Sequence, residues 1–179
     1  MRKRPIDSPP WRWRLTLGTA LLLVAAGAMA ATWSVGPGSE VVFVSKAPME
    51  TFEGETDQIR GRVACDPGDL LAGCDLRIVV DLASLDTGIG LRNSHMRDRH
   101  LETDTYPEAV FTATEMLAAS APALMPGVPV EVTVRGEFDL HGVVRPREIV
   151  ATVMRTAAGG LEVETEFPVK LSDHQIDRP

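Results

Sequence analysis

The sequence predicts an all-β, antiparallel domain, and three observations carry that prediction. Residues 74–82, 130–140 and 161–171 put an apolar side chain at nearly every second position, which is the period of a strand with one buried face. Short turns separate such segments, at His141-Gly142 and at residues 157–160. Long amphipathic helices of the crossover kind are missing between them, which argues against a doubly wound parallel sheet.

Taken in order, residues 32–45 (TWSVGPGSEVVFVS) break at Gly-Pro-Gly and then run β-branched and aromatic through Val41, Val42, Phe43 and Val44, the first long strand. Residues 54–64 form a more polar second strand. In 74–82, Leu76, Ile78, Val80 and Leu82 share one face and Asp75, Arg77, Val79 and Asp81 the other. Residues 109–115 are a short strand and 118–129 an Ala- and Pro-rich loop. In 130–140, Val130, Val132, Val134, Phe138 and Leu140 face Glu131, Thr133, Arg135, Glu137 and Asp139 across the strand; 143–154 return, and 161–171 bury Leu161, Val163, Phe167, Val169 and Leu171. Six or seven strands result, which suits a sandwich or a barrel with an apolar interior. One stretch interrupts them: residues 85–111, LDTGIGLRNSHMRDRHLETDTYPEAVF, crowd Asn, Asp, His and Arg into a few helical turns before Tyr106-Pro107.

The 179-residue chain begins with features of an export signal: basic Arg2, Lys3, Arg4, Arg12 and Arg14, an apolar run from Leu15 to Val24, and the small-x-small pattern Ala28-Met29-Ala30. Cleavage before Ala31 is expected, leaving a domain over 31–179 that is periplasmic or secreted. The apolar run is shorter than the roughly 20 residues of a bilayer span, so no stable membrane span is expected after cleavage. Without residues 1–30, Lys plus Arg falls from 18 to 13 and Asp plus Glu from 25 to 24, so the net charge moves from −7 to −11. An acidic field of that size repels phosphate backbones and anionic headgroups, which excludes nucleic acid as an expected partner and leaves apolar, neutral or cationic ligands. Homodimerisation is left open. In an exported chain the two cysteines, Cys65 and Cys74, astride a Pro-Gly turn, read as a disulfide rather than as a metal or redox pair, whose usual two-residue spacing they lack.

His95, His100, His141 and His174 are the candidates for a metal- or haem-linked redox role, the alternative to a binding function. Five residues apart on a helix, His95 and His100 point about 140° away from each other, and none of the four lies in a recognised metal-ligand spacing. No metal, cofactor or catalytic residue is therefore expected. No serine sits in a nucleophile elbow, and Glu162, Glu164 and Glu166 fall on the solvated face of a strand. The residues favour a binding domain over an enzyme.

Three segments resemble the YceI family of lipocalin-like polyisoprenoid-binding periplasmic proteins. They are Ser84-Leu85-Asp86-Thr87-Gly88 followed by Arg92-Asn93-Ser94-His95-Met96-Arg97, then Tyr106 to Phe111, then Phe138-Asp139-Leu140-His141-Gly142-Val143-Val144-Arg145-Pro146. The resemblance covers Trp33 to Pro179, with Val144 in place of the family's usual Thr. It implies an eight-stranded antiparallel barrel whose tunnel holds a polyisoprenoid, an isoprenoid quinone tail or a fatty acid derivative, with the short helical segment near one mouth. Inward-facing Phe43, Leu76, Ile78, Phe111, Val132, Val134, Phe138, Val163, Phe167 and Val169 are then the candidate tunnel lining, with Met96 and Leu101 near a mouth. Arg92, His95 and Arg97 are polar candidates there, to position a headgroup or to pin the helix. Residues 173–179 resemble the run before the family's last strand, so the resemblance also implies a C-terminally incomplete barrel with an unpaired edge.

Overall fold

The structure, a computed structural model, describes the backbone of residues 11–18 and, in full, residues 30–46 and 51–177. Ten strands are seen among them: β1 Trp11–Gly18, β2 Ala31–Ser34, β3 Gly36–Lys46, β4 Thr51–Thr56, β5 Ile59–Cys65, β6 Cys74–Asp81, β7 Glu108–Ala119, β8 Pro129–Leu140, β9 Val143–Arg155 and β10 Leu161–Val169. All pair antiparallel in one sheet of order β2-β5-β6-β7-β8-β9-β10-β1-β3-β4. The chain passes from β2 to β3 across Val35, whose N–H donates to the Gly61 carbonyl, and from β4 to β5 across Asp57 and Gln58. The two ends of the strand order therefore belong to the same long hairpin, and the sheet curls back onto it.

Alternation sets the inside of this curl. Along β8 every second residue from Val130 to Leu140 is buried, Gly136 included. The turn from β8 to β9 is made by His141 and Gly142, both at positive φ (56° and 70°), the pairing that matches the twist of a two-residue hairpin. Gly142 is also required by space, since a Cβ there would meet the Tyr106 ring at 2.7 Å.

The helical segment is α1 Gly90–His95 continued by a wider π turn, Met96–Leu101. It lies at the end of the barrel where β6 finishes and β7 begins. Phe43, Leu82, Leu85, Leu101 and Leu140, all at most 1% exposed, pack that end solid. Two expectations are revised: β7 is longer than the sequence indicates and continues to Ala119, and the polar second strand is two strands, β4 and β5.

The structure departs from the expected unpaired edge. Among the described residues no strand follows β10, yet the place between β10 and β3 is filled by β1, with Trp13 opposite Phe167 on one side and Phe43 on the other. These residues belong to the leader-like segment expected to stand outside the barrel. Their alternation, WRWRLTLG, is in phase with the buried positions of both neighbours. The rest of that segment, residues 1–10 and 19–29, lies outside the described residues.

Cys65 and Cys74 face each other at the end of the β5–β6 ladder and are joined, with Cα atoms 4.5 Å apart. The disulfide closes a loop of about ten residues, for which chain entropy gives about 2.7 kcal/mol. Urea unfolding of a Cys65→Ala/Cys74→Ala variant is expected to show a loss of about 2–3 kcal/mol; an unchanged midpoint would show that the loop is held without the bond.

Candidate ligand-binding site

The inward faces of β5 to β10, with Val41 of β3, enclose a cavity of about 140 Å³. Among the described residues every lining side chain except Thr165 is apolar, and the Thr165 hydroxyl donates to the Val150 carbonyl at 2.7 Å. The described wall therefore offers a ligand no charge and no free polar handle. It runs toward the disulfide end of the barrel, where Leu70 and Leu124 reach in from loops. Two backbone bonds tie those loops across the opening, Leu70 N–H to Pro122 O (2.9 Å) and Leu124 N–H to Pro67 O (2.7 Å).

Of the residues expected to line a tunnel, Leu76, Ile78, Phe111, Val132, Val134, Phe138, Val163 and Phe167 border this cavity. Phe43, Val169 and Leu101 are buried in the core but do not border it. Phe138 is fixed by edge-on contacts with Phe167 (5.7 Å) and His174 (5.4 Å). Ile149, Ala151 and Val153 of β9 complete the wall and were legible as alternate positions. Leu70 and Leu124 were not, since loop residues carry no periodic signal.

Met96 borders a different space, an outer cleft of about 420 Å³ beside the helix, lined by Phe52, Ile89, Leu91, Arg92, His95, Met96 and His100. It shares no lining residue with the cavity and backs onto packed core, where Phe52 meets Phe43 edge-on at 6.1 Å. The Arg92 guanidinium lies 4.4 Å above the Phe52 ring, His95 is exposed, and Arg97 Nη2 donates to the Leu85 carbonyl at 2.8 Å.

Asn93 organises the loop before the helix. Its Oδ1 accepts from Thr87 N (2.9 Å) and Thr87 Oγ1 (2.7 Å), while its Nδ2 donates to Asp86 Oδ1 (2.7 Å). The Asn93 amide and then the Gly88 N–H hold the Asp86 carboxyl below its ordinary pKa. Arg92, Asn93 and Arg97 thus fasten the helix to the barrel. Asn93→Ala removes both Thr87 bonds and is expected to cost about 1–2 kcal/mol, with the Asp86 pKa rising toward its ordinary value in an NMR titration.

The histidines do not converge. His100 Nδ1 lies 3.0 Å from the Asp177 carbonyl oxygen, His141 Nδ1 3.3 Å from that of His174, and His174 Nδ1 3.0 Å from that of Val143. The His141 ring also packs at a tilt against Tyr106, with centroids 4.4 Å apart and planes at 53°. Among the described residues no three His, Cys, Asp or Glu side chains are grouped to hold a metal ion.

His174 is fully buried, and desolvation, reinforced by Arg147 and opposed by the Val143 and Leu140 carbonyls and by Asp173, lowers its pKa from 6.5. The folded state therefore prefers the neutral ring, and the unfolded chain takes up the proton first as the solution is acidified. The stability this residue contributes is complete above pH 6.5 and is lost as pH falls toward its lowered folded pKa. His174→Gln, which keeps a donor for Val143 O, is expected to flatten that part of the melting-temperature profile; parallel profiles for the two proteins would show that His174 does not titrate on unfolding.

The barrel and its motif-bearing loops have counterparts among known proteins. A family model described as the YceI-like domain matches residues 33–178. A UPF0312 protein of Photorhabdus laumondii is 29% identical over 169 residues, covering 89% of this chain and 82% of its own. Among solved structures, a Saccharophagus degradans protein described as a polyisoprenoid binding domain implicated in plant cell wall breakdown superposes with a TM-score of 0.61 at 24% identity, over 94% of this chain and 82% of that one. Burkholderia cenocepacia BcnA gives 0.55 at 17% identity, over 73% of this chain and 96% of that one. A Campylobacter jejuni YceI protein gives 0.58 at 17%, over 74% and 75%. With the family model matching residues 33–178, most of the chain, the protein belongs to the YceI family.

Proposed function

We propose that this protein is an exported binding protein that holds the apolar chain of a lipid-like ligand, of the polyisoprenoid class or similar, inside its barrel. The observation that carries this reading is the cavity itself: among the described residues its lining holds one polar side chain, whose hydroxyl is already bonded within the barrel. Such a space stays dry and selects for apolar surface. Among the described residues its lining also holds no acid, base or nucleophile, which supports binding over catalysis. The leader-like first thirty residues and the disulfide support export to a periplasmic or secreted location. The solved relative described as polyisoprenoid binding supports the ligand class.

At about 140 Å³ the cavity is close to the roughly 150 Å³ apolar space that takes benzene. It falls short of the roughly 300–1,000 Å³ of most small-molecule sites. A long chain therefore enters by moving side chains, and the disulfide end is where it does so. The loops there expose Leu71 (56%), Met125 (64%) and Val128 (48%), while the helix end is packed solid. The test is organic extraction and native mass spectrometry of protein purified without detergent. A stoichiometric apolar adduct, present natively and recovered in the extract, is expected; an adduct-free protein that also fails to take up polyprenol or fatty acid in solution would overturn the reading.

A further inference from the structure

The disulfide end of the barrel carries an apolar outer surface separate from the cavity lining. Two loops form it, residues 66–73 between β5 and β6 and residues 120–128 between β7 and β8. Each loop turns consecutive apolar residues to opposite sides. Leu70 and Leu124 are buried and border the cavity, while their neighbours Leu71 and Met125 are exposed, as is Val128. A solitary exposed aliphatic side chain is ordinary on a folded surface. Here three are held out together, because the loops order each other. Besides the two bonds that tie Leu70 to Pro122 and Leu124 to Pro67, Val128 N–H donates to Met125 O (3.2 Å) and Gly127 N–H to Arg155 O (2.8 Å). The Cys65–Cys74 bond closes the base of the first loop.

Charge decides what can cover this surface. Residues 116–130, MLAASAPALMPGVPV, carry no charged side chain in a chain that is 24% charged, and residues 125–129 are all exposed. Residues 66–73 hold no Lys or Arg, and their two acids, Asp66 and Asp69, accept from the Gly68 and Ala72 backbone N–H groups. Of the flanking cations, Arg62 is paired with Asp75 and Arg155 is half-buried. These loops therefore give an anionic headgroup nothing to bind. What suits them is apolar contact with an interface whose headgroups are uncharged or zwitterionic.

We propose that the disulfide end is a docking tip for an uncharged lipid surface. Leu71, Met125 and Val128 enter the headgroup layer, and Leu70 and Leu124 move to let an apolar chain pass directly between that layer and the cavity. Docking stands on the outer surface alone, whereas passage rests on the proposed function of the cavity. Docking and gating residues are neighbours in the chain, so seating Leu71 and Met125 in lipid acts on the two side chains that stop the cavity.

The test uses the full chain and vesicles of phosphatidylcholine. Co-flotation reads docking, and the rate at which a fluorescent long-chain alcohol leaves the vesicles for the protein reads passage. Uptake of the same alcohol from dilute solution, without vesicles, reads the cavity by itself. The parent is expected to float and to take the alcohol at a rate that rises with vesicle concentration, as transfer on contact requires. Leu71→Asp/Met125→Asp is expected to lower flotation and transfer rate at least tenfold and to leave uptake from solution unchanged. Val144→Asp/Val150→Asp adds the same charge at comparably exposed positions on β9 and is expected to match the parent. All three proteins keep residues 1–30, so a difference between them belongs to the substituted positions. Equal flotation and transfer by the parent and Leu71→Asp/Met125→Asp would overturn the proposal, as would a rate independent of vesicle concentration or stronger flotation on phosphatidylglycerol. A parent that does not float but sediments as a dimer, and becomes a monomer in Leu71→Asp/Met125→Asp, would assign the surface to a second copy and overturn it too. Absence of uptake from solution in all three proteins would overturn the reading of the cavity, and flotation alone would then decide the docking.

Discussion

Ala151→Phe is expected to empty the barrel. Ala151 is buried on β9, with Val132 of β8 on one side and Thr165 of β10 on the other, and all three line the cavity. A phenyl ring built there occupies the space an apolar chain would need, and no polar group is displaced in making room for it. Filling an existing void is gentler than overpacking a full core, which typically costs about 1–3 kcal/mol; here part of the ring's volume is already vacant. The variant should therefore melt within a few degrees of the parent while the lipid adduct in native mass spectra falls at least tenfold. Ala151→Leu should give an intermediate loss. Thr152→Phe, one residue on and facing solvent, should leave the adduct unchanged. Undiminished adduct in Ala151→Phe would mean that the ligand binds elsewhere, the outer cleft beside the helix being the next place to look.

Much of this barrel is legible because a half-buried strand repeats every two residues, and β8 and β10 keep that period closely, whereas in β6 Val79, expected on the solvated face, is buried along with Ile78 and Val80. The interior wall follows from it: eight of the residues expected to line a tunnel do border the cavity. What alternation does not reveal is depth along the barrel axis. Phe43 and Val169 point inward like Phe138, but they lie at the end that Leu82, Leu85 and Leu101 fill, so they are core rather than wall. Leu70 and Leu124 close the other end from loops, where position is set by backbone bonds to Pro122 and Pro67 that no local pattern announces. The helical segment was legible as an interruption, and its Arg, Asn and His as a cluster. That Arg92, Asn93 and Arg97 fasten the helix, and that none of the cluster lines the cavity, depends on tertiary contacts such as Arg97 to Leu85 O.

Residues 11–18 carry two messages in one stretch. Their basic and apolar content reads as part of a leader, while their strict alternation reads as a strand as regular as β8. Composition and period are independent properties of a sequence, so both can be true of the same residues at different stages of the protein's life. The ladder with β3 and β10 records the second property. The first is tested by N-terminal sequencing of the protein isolated from its own cells, with a start at Ala31 as the expected result.

Gly136→Ala should be among the damaging small substitutions in the sheet, and it should act on binding as well as on stability. Gly136 sits in β8 opposite Ala113 of β7, next to the register shift between Ala113 and Glu115. A Cβ there would lie 2.5 Å from Phe111 Cζ and 2.5 Å from the Thr112 carbonyl oxygen. The carbonyl belongs to the backbone of the neighbouring strand, so relief on that side requires the β7–β8 ladder itself to shift. The Phe111 ring can turn instead, but it lines the cavity, and turning it aside spends the space a ligand would use. Strain of this kind typically costs about 1–3 kcal/mol, and the backbone clash puts Gly136→Ala at the upper end. Gly90→Ala, at the start of α1 with nothing within 4 Å, is the matched control and should be neutral or slightly stabilising. Adding Phe111→Leu to Gly136→Ala should recover the part of the loss that came from the ring and leave the part that came from the carbonyl. A double-mutant cycle in urea separates the two, and strictly additive effects would show that the ring is not what the new methyl group strikes.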